Sequence, residues 1–205
     1  MFLWPVVLIG LALALVTRRP LGNLLARKFD RIELLLLGLG LQLLLAPTAL
    51  APILSTSTAP GLPRVGGLLY VGSLVSLLVF AWLNRRCLGV AVMGVALLMN
   101  AAVIAANGGQ MPVSPDQMAV QGSLNKMLAD ERSGNWSPHT MIVDETRLAF
   151  LGDRVLVMVP RPVAKSVIVS PGDLVVAAGV LLFLLVIPEA KAAHAEDPTR
   201  VAAPQ

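Results

Sequence analysis

The run CLGVAVMGVALLMNAAVIAANGGQMPVSPDQ, residues 87–117, decides the fold. Its first part, Cys87–Ala106, carries no charge and has the roughly 20 apolar residues that a helix needs to cross a bilayer. The chemistry then changes abruptly. Asn107-Gly108-Gly109 reads as a helix C-terminus followed by glycines able to adopt positive φ. Ser114-Pro115-Asp116-Gln117 reads as a helix start, with Ser114 as N-cap, Pro115 at the first helical position and Gln117 reaching back in a capping box. Val120, Leu124, Met127 and Leu128 continue one apolar face, predicting an amphipathic helix through Asp130 that ends near Ser133-Gly134. The glycines do not make a nucleotide loop, because no G-x-x-x-x-G-K-[ST] pattern or nearby lysine accompanies them.

The same alternation of apolar runs and stops extends along the whole chain. Of its 205 residues, 56% are hydrophobic and 14% charged, with a mean hydropathy of +0.78. Soluble domains carry about 25% charged residues, so the composition points to an all-α, polytopic membrane bundle. Five apolar segments are predicted to span: Phe2–Val16, Ile32–Leu54 (broken late by Pro47 and Pro52), Gly66–Leu83, Cys87–Ala106 and Leu174–Ile187. The first and last are short and need interfacial residues or a thinned bilayer. The first lacks a basic n-region and an A-x-A-like site, which favours a retained helix over a signal peptide. The resulting division is a four-span region (1–106), an extracytoplasmic segment of amphipathic helix and loops (107–170), a last span (171–190) and a disordered cytoplasmic tail (191–205) that holds His194.

Lys and Arg set the expected orientation. Arg18, Arg19, Arg27, Lys28, Arg31, Arg85 and Arg86 lie in the first and third connections, against Arg64 alone in the second. The N-terminus is therefore expected outside and the C-terminus in the cytoplasm. The stretch 21–31 is expected to lie along the inner interface through Leu21, Leu24, Leu25 and Phe29. The net charge of +4 is explained by this topology. No basic stripe interleaved with aromatics suggests nucleic acid.

Polar groups inside spans are costly and therefore informative. Gln42 and Asn100 stand out, either as interhelical hydrogen bonders or as contacts to a buried lipid or quinone-like head. Small residues four apart (Gly10/Ala14, Gly72/Ser76, Ala101/Ala105, Ala102/Ala106) are candidates for close helix approach. No ionisable residue sits at mid-depth in any span, which argues against a proton-coupled carrier. With Cys87 as the only cysteine, no intrachain disulfide can form.

Function is expected in 107–170 and at its exit. Ser170-Pro171-Gly172-Asp173 repeats the serine-cap signal and should open the last span. Asp144 should cap a short helix over Glu145–Leu151 that Gly152 ends. Val155–Val159 and Val163–Val169, bounded by Pro160 and Pro162, are hairpin candidates or extended pieces pressed against the membrane surface. His139 with Asp144, Asp153 and Asp173 supplies catalytic candidates, with Ser114, Ser137 or Thr140 as conceivable nucleophiles, but no G-x-S-x-G elbow supports them. The same acids and His139 have no recognised metal spacing, so neither metal nor cofactor is predicted. Asn107, Gly108, Gly109, Met111 and Pro112 are predicted to form the lip of a binding site, with Gln42 and Asn100 below it.

The order of these motifs, NGGQMPVS, HTMIVDETRLAFLGD, VPRP and SPGD, resembles an uncharacterised family of small bacterial polytopic membrane proteins, over roughly residues 86–187. The resemblance implies a bacterial plasma-membrane protein and carries no activity with it. The expected function is a non-catalytic membrane component that binds a membrane-protein partner, a lipid or a quinone. A small enzyme acting on an amphipathic lipid or isoprenoid substrate at the outer interface is the alternative.

Overall fold

A computed structural model describes residues 10–13, 15–16, 28–45, 51–56, 64–134, 136–158 and 166–186. These residues are mostly helical. The helices are α1 (Ile32–Leu44), α2 (Ala51–Leu54), α3 (Val65–Leu83), α4 (Leu88–Ala106), α5 (Pro115–Gln121), α6 (Leu124–Ser133) and α7 (Pro171–Leu185). Four short strands join them: β1 (Met111–Val113), β2 (His139–Met141), β3 (Val155–Val157) and β4 (Val167–Val169). Residues 10–13 and 15–16 are also helical, and Gly10 lies against Leu181 and Leu184 of α7. Most of segment one, the interfacial residues Leu21, Leu24 and Leu25, the prolines at 47, 160 and 162, and the tail from 187 lie outside the described residues.

Helices α3 and α4 are long and apolar enough to cross a membrane, at 19 residues each, or about 28 Å at 1.5 Å per residue. Helices α1 and α7 have 13 and 15 residues. Segment two ends as a helix at Leu44, earlier than its prolines implied.

Helix α4 packs most extensively on α7, and α3 lies between α1 and α4. Glycine makes these approaches close. A Cβ on Gly89 would meet the backbone of Phe183, and one on Gly179 would meet Met93 and the Gly89 carbonyl. Gly38 serves α1 in the same way against Leu77 and the Ser73 carbonyl. Gly72, of the expected Gly72/Ser76 pair, makes no such approach: a Cβ there would meet nothing within 4 Å. Ser76 instead donates to the Leu34 carbonyl at 2.8 Å, joining α3 to α1.

The two ends of the bundle differ. At one end, Asn84 and Asp30 exchange hydrogen bonds: Asp30 N–H donates to Asn84 Oδ1 at 3.0 Å and Asn84 Nδ2 donates to the Asp30 carbonyl at 2.9 Å. Phe29 packs there between Phe80 and Phe183, with ring centroids 5.9 and 6.0 Å away. At the other end, Gly108, Gly109 and Trp136 meet the start of α3. Gly67 touches Gly108 and Gly109 backbone to backbone, and Gly66 lies under the Trp136 ring. Only glycine fits at 109, where φ is +84° and a Cβ would lie 2.8 Å from the Gly67 carbonyl atoms.

Three local expectations change. The single amphipathic helix is two, because Gly122 turns left-handed at φ 83° and ends α5. Ser114 occupies the N-cap position without a side-chain cap bond; its N–H donates to the Asp153 carbonyl at 2.9 Å, so the predicted Gln117 box does not form. Asp144 caps no helix: residues 143–146 form a turn closed by Thr146, and only Ala149–Leu151 is helical, as a single 3-10 turn. The Ser170 cap is confirmed in full, with Ser170 Oγ accepting from Asp173 N–H and Asp173 Oδ2 accepting from Ser170 N–H, both at 3.0 Å.

The strands add to the expected all-α fold. β1 runs parallel to β2 in the register Met111↔His139, Pro112↔Thr140, Val113↔Met141. β3 and β4 pair antiparallel, the hairpin alternative of the two offered by the valine-rich runs.

Candidate functional site

Strand β1 gathers the site. Its free edge receives Asp153, whose N–H donates to the Pro112 carbonyl at 2.8 Å while its carbonyl accepts from Ser114 N–H. Gly152 makes this approach possible, since a Cβ there would lie 2.6 Å from the Pro112 carbonyl oxygen. Strand β2, on the opposite edge, brings His139. Gln110 fixes that strand by donating to the carbonyls of Ser137 at 2.8 Å and His139 at 3.3 Å. Asn107 ties the end of α4 to the loop, donating to the Val103 and Arg147 carbonyls and accepting from Arg147 N–H.

As a result His139 Nε2 lies 3.8 Å from Asp153 Oδ2. Two cavities meet at this pair. The larger, about 450 Å³, runs between α1, α3, α4 and α7; its walls are mainly leucine, methionine and valine, and its polar groups include Tyr70, Asn100, His139, Asp153 and Asp173. The smaller, about 290 Å³, lies on the side of α5 and α6 and is lined by Gln121, Lys126, Ser137 and again His139 and Asp153.

Burial controls the electrostatics. The Asp153 side chain is 9% exposed, and its Oδ1 is buried with no hydrogen-bond partner among the described residues. An unpartnered buried oxygen disfavours the carboxylate. Burial first, and then the charge of Asp173, push Asp153 up to about 8. His139 moves the other way: burial lowers it, and Asp173 only partly opposes this. Nearly half of its side-chain surface is open, at 47%, so burial penalises the imidazolium less than it penalises the Asp153 carboxylate. Both shifts favour uncharged forms near neutral pH. They weaken any ionic attraction between the two side chains, and 3.8 Å is too long for a direct hydrogen bond.

Asp173 and Asn100 form the floor of the polar end. Asn100 Nδ2 donates to Asp173 Oδ1 at 3.1 Å, and Ser170 Oγ donates to Asn100 Oδ1 at 3.2 Å. Gly172 allows this, because a Cβ there would overlap Asn100 Oδ1. Asn100 is thus an interhelical bonder that also faces the cavity. Gln42 lines the same cavity, its side chain without a hydrogen-bond partner among the described residues.

The structure brings together His139, Asp153, Asp173, Asn100, Gln42 and Met111 on one cavity wall system. Asp144 stays exposed in its turn, away from both cavities. Asn107, Gly108, Gly109 and Pro112 line neither cavity. Tyr70, the only tyrosine, and Lys126 reach the cavities although no sequence signal marks them. Among the described residues no three His, Cys, Asp or Glu side chains are gathered as a metal site.

The chain matches the family described as "Family of unknown function (DUF5317)" over residues 26–185, and it belongs to that family. No curated protein and no solved structure matches it.

Proposed function

We propose that the chain is a multi-pass membrane component that holds an amphipathic ligand, a lipid or quinone-like molecule, with its polar head at His139, Asp153 and Asp173 and its tail between α1, α3, α4 and α7. The observation that carries this is the larger cavity: one long apolar volume with its titratable side chains gathered at one end. Ligand pockets combine apolar walls with a few convergent polar groups in this way.

The membrane setting is supported by surface chemistry. Only 28% of the most apolar stretch of α4 is buried, and Leu36 and Leu43 of α1, Trp82 of α3 and Leu98 of α4 are exposed. A soluble protein rarely exposes so continuous an apolar face. We read five spans, with 107–170 as an extracytoplasmic lid over the bundle. The basic residues Lys28, Arg31, Arg85 and Arg86 at the opposite end favour a cytoplasmic position for that end, with the N-terminus outside. A membrane-protein partner would sit on the exposed helix faces.

A second reading, a membrane enzyme acting on a lipid or isoprenoid substrate, is favoured by the His139–Asp153 approach on the wall shared by the two cavities. Native mass spectrometry of the full chain extracted from membranes separates occupied from empty cavities. The wild type should retain a lipid-sized adduct, and Leu39→Trp, which fills the cavity from α1, should lose it. Equal adducts in both proteins would refute the cavity as the ligand site.

A further inference from the structure

The geometry of the polar end restricts what head it can take. His139 Nε2 and Asp153 Oδ2 are too far apart to bond directly, but a single oxygen atom can sit about 2.8 Å from both. With Asp153 Oδ1 shut away from solvent, Oδ2 is the polar atom left on the open side. An unpartnered buried Oδ1 disfavours the carboxylate, and in the protonated form the proton goes to the open Oδ2, making that atom a hydrogen-bond donor. The imidazole, with one N–H, can supply the second donor. No lysine or arginine is among the described residues lining the larger cavity, and Asp173 stands beside the pair.

We propose that the site selects an uncharged carbonyl-bearing amphiphile, its carbonyl oxygen held between Asp153 and His139, and rejects anionic heads. This rests on the amphipathic-ligand reading above. A carboxylate or phosphate placed there would face Asp173 and the Asp153 carboxyl in a poorly solvated pocket without a compensating cation on the same wall. Two donors converging on one oxygen suit a ketone, ester or quinone carbonyl instead.

The selection depends on the Asp153 proton. The titratable groups facing it are His139 from β2, Asp173 from α7, Tyr70 from α3 and, across the smaller cavity, Lys126 from α6. Asp153 is pushed up to about 8, so the donor form falls from about nine-tenths at pH 7 to about one-tenth at pH 9. Affinity for a carbonyl ligand should weaken by about tenfold over that range, in proportion to the competent fraction.

Isothermal titration calorimetry on the full chain in uncharged detergent tests this with two probes, decylubiquinone (neutral, two ring carbonyls) and dodecanoate (anionic, similar tail). Decylubiquinone should bind at least tenfold more tightly at pH 7 and weaken about tenfold by pH 9. In Asp153→Asn, whose amide remains a donor, quinone affinity should stay within about threefold and become flat with pH. Dodecanoate binding equally or better would overturn the head-group inference while leaving the cavity reading intact. A quinone affinity independent of pH in the wild type would overturn the role of Asp153. Failure of both probes to bind would overturn the cavity reading together with the inference.

Discussion

Adding one methyl group at Gly89 tests how tightly α4 and α7 are pressed together. In Gly89→Ala the new Cβ would stand 2.5 Å from Phe183 N and 2.6 Å from its Cα and Cβ. Ordinary contacts between such atoms are about 3.5–4.0 Å. The obstructing atoms are mostly backbone, so no rotamer change relieves them and the helices must part by about 1 Å. Overpacking of this kind costs about 1–3 kcal/mol, about 5- to 150-fold in the folding equilibrium. At about 2–4 °C per kcal/mol for a chain of this size, the midpoint should fall by about 2–12 °C. Gly72→Ala is the matched control: nothing lies within 4 Å of its Cβ position, and alanine is favoured over glycine in a helix by about 1 kcal/mol. Its midpoint should hold or rise slightly. The single cysteine, Cys87, is buried at 7% exposure, so a thiol-reactive fluorophore reports unfolding in detergent without engineering. A Gly89→Ala midpoint within about 1 °C of wild type, or a loss at Gly72→Ala as large as that at Gly89, would refute the backbone-contact reasoning.

The remaining expectations use the same assay. Gly109→Ala should be far more damaging than Gly108→Ala: both positions have positive φ, costing about 1–2 kcal/mol for a side chain, but only at Gly109 would the added Cβ run into the Gly67 backbone, the Cβ position of Gly108 being open. Equal losses at the two positions would show that the contact contributes nothing. Asp153 should make stability fall with rising pH. Its folded value, about 8, lies above the unfolded carboxyl value, so the folded state binds more protons; the contribution is full below about pH 4 and is lost as pH rises through 8. Asp153→Asn should remove that slope, and a slope unchanged in the variant would assign it elsewhere.

Much of the helical framework is legible in the sequence because each signal is local. The charge-free run of Cys87–Ala106 and the Arg85-Arg86 stop bracket α4 closely, and the Ser170 box needs only residues 170–173. Gly122 escapes notice because a lone glycine costs little in a helical pattern and the apolar face continues past it. The parallel pairing of Met111–Val113 with His139–Met141 is not readable, since three-residue strands show no period and their partners are more than twenty residues away. That pairing places the site. His139 and Asp153 are recognisable as chemistry-bearing residues, but their juxtaposition depends on two edges of one short strand. Asp144 has the same chemical credentials and fails only because its turn points elsewhere.

The contact of Gly67 with Gly108 and Gly109 has a genetic consequence. Most damaging substitutions in a packed interface can be relieved by trimming the side chain opposite. Here the opposing residue already has no side chain, so enlargement at Gly109 leaves nothing to trim. Second-site suppressors of such a change should therefore arise in distant elements that raise overall stability, and never at the point of contact.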